Sequence, residues 1–319
     1  MKGAIAAVVA VVAVVVGLIW LARPRDSGPD PKAWEQKASA AFKPLVGDVP
    51  DLVQGARDWQ SGQRSTEDFT QEVDRAVADF GRSRKQVAAL GESPKNKTAG
   101  ELYTHSAQLY EQVGRIYQVM VATEPGDVRT QLDLLARRVR ELADRVFDRG
   151  HAALAPYLDE QQPPDVEVRA PEEVPLWPDE GLAAGPPLDA QPAPPASSPP
   201  LRQATRPQES ETAWASAVRA ARIPTAAALT AAIRARDAAP LGDLARRYVA
   251  AAEALRARPD PKGQRDRSAI LRLGLLVDAD AARAAQAATL LQGPPQTGLD
   301  SVASNVASVG DHLVKESKP

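Results

Sequence analysis

Three phenols at a strict spacing of seven, Tyr103, Tyr110 and Tyr117, are the residues of this sequence best spaced to act together. Helical positions seven apart drift by only about 20°, so their hydroxyls would form one row beside Leu102, Leu109 and Ile116. One reading is a groove that offers those hydroxyls to a ligand or partner. The other is packing. At 100° per residue, the apolar arc from Leu102 through Val113 and Tyr110 to Ala107 and Gly114 is about 140° wide, enough to touch two neighbours. On that reading the rings are core and the hydroxyls reach its rim.

Little else in the sequence converges. His105, His151 and His312 fall on three different expected helices, and no His-Glu-x-x-His motif accompanies them. No metal site is therefore expected, and His105 reads as a residue at the edge of a packed face. Asp278 and Asp280 diverge by about 200° on a helix and cannot form one oxygen cage. Asp280 lies on the apolar side, where burial would demand Arg283 or an arginine from a neighbouring helix. No phosphate-cradling glycine loop, Gly-x-Ser-x-Gly elbow or dinucleotide fingerprint occurs. There is no cysteine, which excludes disulfides, thiolate metal sites and cysteine nucleophiles. The expectation is a protein that is not an enzyme and carries no cofactor.

The elements that must position these residues are helices. Aromatics make up only 4% of the chain and alanine supplies much of the apolar content, a balance that favours closely packed helices over a β-sandwich. Within 31–158 an antiparallel bundle of about four helices is expected. The first carries Trp34, Ala38, Ala41 and Leu45 and should break at Pro44, Gly47 and Pro50. The second opens at Ser65 with Asp68 three residues on, a capping-box variant, and has the seam Phe69, Val73, Ala76, Phe80, Ser83, Val87, Leu90. The third holds the tyrosines. The fourth has the coiled-coil-like seam Val128, Leu132, Leu135, Val139, Leu142, Val146. Arg137 with Glu141 and Arg140 with Asp144 should mark its solvated face.

Residues 159–208 read as a linker. The 159–200 stretch has twelve prolines and nine acidic residues against one base, Arg169. Such a mixture supports neither a helix nor a core. After it, 209–319 reads as a second, Ala- and Arg-rich helical domain, and the chain from 201 on has 17 basic and 12 acidic residues. Residues 126–139 and 263–277 have similar helical patterns, which raises a tandem duplication as one reading.

Residues 1–30 read as a membrane anchor and its flank. Gly3–Ala22 is uncharged throughout, and twenty helical residues span about 30 Å. A cleaved signal peptide is the competing reading, disfavoured by Trp20 three residues before the only suitable cleavage position. Trp20 suits an interface, and Ala13 with Gly17 form a small-xxx-small pair that would support association of two copies. The expected place is the inner membrane of a bacterial cell, single-pass, with the body leaning to the periplasmic side. A net charge of −2 argues against nucleic acid. The function expected is a membrane-anchored helical scaffold or adaptor for other envelope proteins, with the basic C-terminal domain meeting an acidic surface. The alternative is a ligand-sensing or assembly-accessory bundle built around Tyr103, Tyr110 and Tyr117.

Overall fold

The computed structural model describes residues 30–158 and 209–318, apart from 257 and 265. The described residues are helical, joined by short turns, with one isolated bridge between Glu209 and Pro261. Four helices come before the Pro-rich segment: α1 (Pro31–Gln60), α2 (Thr66–Ala89), α3 (Lys97–Val121) and α4 (Asp127–Leu154). Five follow it: α5 (Glu211–Ala220), α6 (Ala226–Ala235), α7 (Ala238–Ala254), α8 (Arg267–Ala288) and α9 (Pro294–Ser317). No helix among the described residues is long and apolar enough to cross a membrane, and the expected span Gly3–Ala22 lies outside them. The expected linker, 159–208, lies outside them too.

Local chemistry sets most helix starts. Ser65 accepts from the Asp68 amide (3.1 Å), Asn96 from Ala99, Ser210 from Ala213 and Thr225 from Ala228, each satisfying an orphan N–H of a first turn. The expected break in α1 does not occur: the helix runs through both Pro44 and Pro50. Both rings are exposed, so each proline forfeits one backbone hydrogen bond on the solvent side. The opposite face buries Trp34, Ala38, Phe42, Leu45, Val49, Leu52, Ala56 and Trp59 along the whole length. That continuous apolar stripe outweighs two lost bonds.

The centre of the molecule is a ring of four helices, with α3 packed on α4, α4 on α8, α8 on α9 and α9 back on α3. One helical hairpin of the ring comes from each side of the Pro-rich segment. Neighbours run antiparallel. Arg138 of α4 meets Asp280 of α8, and Arg149 meets Asp266 at the other end. Along α3 and α9 the register repeats every seven residues: Gly298 lies against Val119, Asn305 bonds Gln112, and the His312 ring lies beside that of His105. Helices α1 and α2 flank this ring through α3, while α6 and α7 cover α8 and α9. One continuous apolar core therefore runs from Trp34 through Tyr117, Val139 and Val277 to Val314.

The helix α8 is buried nearly all round, with only Arg267, Ala269, Arg272 and Gln286 partly exposed. Alanines 279, 281, 282, 284, 285, 287 and 288 allow its neighbours to approach closely. Two glycines let α8 and α9 approach where they cross. A Cβ on Gly274 would stand 2.8 Å from Val314 Cγ2, and one on Gly310 would collide with the Asp278 carboxylate. The stretches 126–139 and 263–277, alike in pattern, lie largely on α4 and α8, which face one another in the ring.

Candidate functional site

The three tyrosines are packed into the first half of the molecule. Tyr103 and Tyr117 have no exposure, and Tyr110 has 8%. Tyr103 meets Trp34, Phe42 and Phe147 edge-on, with ring centroids 4.9–5.6 Å apart. Gly150 on α4 makes room for this ring, because a Cβ there would stand 2.9 Å from Tyr103 Cδ2. Each hydroxyl has a partner: His151 Nδ1 for Tyr103 (3.4 Å), the Asp144 carboxylate for Tyr110, and Asp133 Oδ1 for Tyr117 (3.4 Å). Burial is the leading cause that pushes all three phenols above their ordinary pKa, so they act as neutral donors. The stripe binds helix to helix.

The fourth helix shows the same use of polar groups. Arg140 pairs with Asp144 as expected, but Arg137 turns to Asp133 (2.6 Å) and Glu141 pairs with Arg145. Asp133 is buried, and it gathers Arg137 and the Tyr117 hydroxyl around one carboxylate. Burial raises the Asp133 pKa and the Arg137 guanidinium opposes the rise. Asp280 is buried and takes both partners considered for it, Arg283 of its own helix (2.6 Å) and Arg138 of α4 (3.2 Å). Asp278 faces the other way, towards Gly310, as the divergence of i and i+2 requires. Its Oδ1 is buried without a partner, and burial followed by the nearby Asp311 pushes its pKa up to about 8.

The seam between α3 and α9 holds a group that sequence reasoning missed. Glu101 and His105 stand four apart on α3, and His312 and Glu316 stand four apart on α9. The antiparallel register brings these two pairs together. Ligand-type atoms of Glu101, His312 and Glu316 all lie within 4.8 Å of one another. The His105 and His312 rings are 4.6 Å apart between centroids. His105 Nδ1 lies 3.0 Å from Gln108 Oε1, an acceptor, so Nδ1 carries the proton and Nε2 the lone pair. That Nε2 is buried without a partner, as is Nε2 of His312. Lys97 Nζ approaches Glu101 (3.5 Å) from the exposed edge. The third histidine, His151, is elsewhere, between Tyr103 and Glu35. The signal was legible as two acid–histidine pairs at i,i+4, which share a helix face. Reading each histidine on its own helix hid it.

No protein-family model, curated protein or solved structure matches this chain.

Proposed function

We propose that this protein is a non-enzymatic scaffold or adaptor of the bacterial cell envelope. Gly3–Ala22 anchors it in the inner membrane, the helical body stands on the periplasmic side, and its C-terminal helices hold a protein partner. The observation that supports this reading best is how the buried polar groups are used. Tyr117–Asp133–Arg137, Arg138–Asp280–Arg283 and Arg64–Glu72 each join helices or turns in small sets. These three sets are spread through the body and hold its helices to one another, whereas catalysis would need them to converge. Such an interior makes a rigid frame.

The partner surface in this reading is the outer layer. Arg219 on α5, Arg234 on α6, and Arg246 and Arg247 on α7 are exposed, as is Arg222 in the turn after α5. An acidic protein surface would meet this set, with its encounter weakened by salt. The helices up to Leu158 and those after Glu209 share one core, so in this reading the C-terminal helices are part of the frame and not a free domain.

Chemical crosslinking in intact membranes tests the reading. The wild type is expected to capture a defined protein that the triple charge reversal Arg219→Glu, Arg222→Glu, Arg234→Glu captures at least tenfold less. Abundance and melting temperature should be unchanged by these exposed substitutions. An identical set of captured proteins from both forms would contradict the adaptor role. A reporter fused after residue 319 checks the side of the membrane, with activity expected only from a periplasmic reporter.

A further inference from the structure

We propose that Glu101, His312 and Glu316, with His105 beside them, form a site for one divalent transition-metal ion of the zinc type that clamps α3 to α9. This goes beyond the adaptor reading and does not depend on it.

The donor set comes first. Two carboxylates and two imidazoles are ligands for zinc and its neighbours in the first transition row, whereas calcium and magnesium prefer oxygen alone. The three atoms within 4.8 Å of one another surround a space near the size one ion needs. Ligands about 2.0–2.2 Å from a tetrahedral ion stand about 3.3–3.6 Å from each other. Closing that difference asks for a modest side-chain rotation, and Glu316 is exposed and free to make it.

The histidines supply the independent observation. Metal ligation requires a neutral imidazole with a lone pair aimed at the ion and its other nitrogen held by a hydrogen bond. His105, beside the three, offers such a nitrogen: Gln108 holds Nδ1–H, and Nε2 is buried and unpartnered. His312 also leaves Nε2 buried and unpartnered, in the same layer of the seam. Two unsatisfied ring nitrogens on facing helices, each with a glutamate one turn further along the same end of the seam, are costly without a common guest. Lys97 is the competing cation. Its side chain is 65% exposed and also within 3.8 Å of Glu92, so it can withdraw when an ion enters.

The test uses the full-length chain, stripped with a chelator and titrated with zinc chloride by calorimetry, with magnesium and calcium chloride as controls. One zinc per chain is expected, with micromolar or tighter affinity, a melting temperature that rises with zinc concentration, and no response to magnesium or calcium. Glu316→Gln should weaken zinc at least tenfold and His312→Ala about a hundredfold. Gln108→Ala should weaken it about tenfold through His105. Cobalt chloride should give visible d–d absorption in the wild type that is lost in Glu101→Gln/Glu316→Gln. If His312→Ala does not fold, the two glutamate variants decide, since Glu316 is exposed and Glu101 half-buried. Substoichiometric zinc, or zinc and cobalt responses that persist in the double glutamate variant, would overturn the site.

Discussion

Asp278 is the residue whose environment departs furthest from what its sequence neighbours suggest. It is a carboxyl wedged between α8 and the backbone of α9 at Gly310, with Tyr248 and Asp311 near it and Lys318 as the opposing charge. Its pKa of about 8 in the folded protein compares with an ordinary value of 3.8. Between those two values the native state holds a proton that the unfolded chain has released, so stability falls as pH rises through that window. The slope from this one group is at most about 1.4 kcal/mol per pH unit, and it vanishes above and below the window. Asp148, raised to about 7 by burial and by Asp144, adds a similar slope up to neutral pH. The comparison of wild type with Asp278→Asn isolates the Asp278 contribution. Denaturant unfolding from pH 5 to 9 should show the variant gaining on the wild type with each unit up to about pH 8, then running parallel to it. Parallel curves throughout would mean that Asp278 is ionised in the fold.

At the scale of the elements, helix identity was legible and helix partnership was not. The seams are buried from Phe69 to Val87 and from Leu132 to Val146 as their three-four spacing requires, while their end residues Leu90 and Val128 are half-buried, and the cap at Ser65 starts α2. Pro44 and Pro50 misled because a proline marks a local cost, while the apolar stripe that overrides it extends over the whole of α1. In α8 the large residues Ile270, Leu273 and Val277, three and four apart, mark only one face. The alanines on its other faces were the sign of burial on every side, which a spacing rule for large residues does not register. The contact of α8 with α4 rests on Arg138, Asp280 and Arg283 in addition to apolar packing. Asp280→Ala leaves two arginines without their carboxylate and should cost about 3–5 kcal/mol. Arg138→Ala should cost about 1 kcal/mol, because Asp280 keeps Arg283. A double-mutant cycle by denaturant unfolding checks both, with a coupling of at least about 0.5 kcal/mol expected between them. Strict additivity would mean that the charge contact does not help join the two helices.

The whole molecule is where the reading of the sequence changed most. A stretch of 42 residues with twelve prolines invites a picture of two separate bodies. Composition reports what that stretch cannot do, and it says nothing about whether its ends lie on one surface. The pairing of α3 with α9 depends on side chains more than 190 positions apart, such as Gln112 with Asn305 and His105 with His312. Only the three-dimensional register reveals the Glu101–His105–His312–Glu316 group, even though each i,i+4 pair is plain once looked for. The two halves form one four-helix ring with a shared core. The most direct measurement is to place a specific protease site within 159–208, cut the purified protein there, and follow the fragments by size-exclusion chromatography in non-denaturing buffer. The two fragments should co-elute at the volume of the uncut chain, melt in a single transition, and separate only in denaturant. Fragments that elute apart, each still helical, would contradict it.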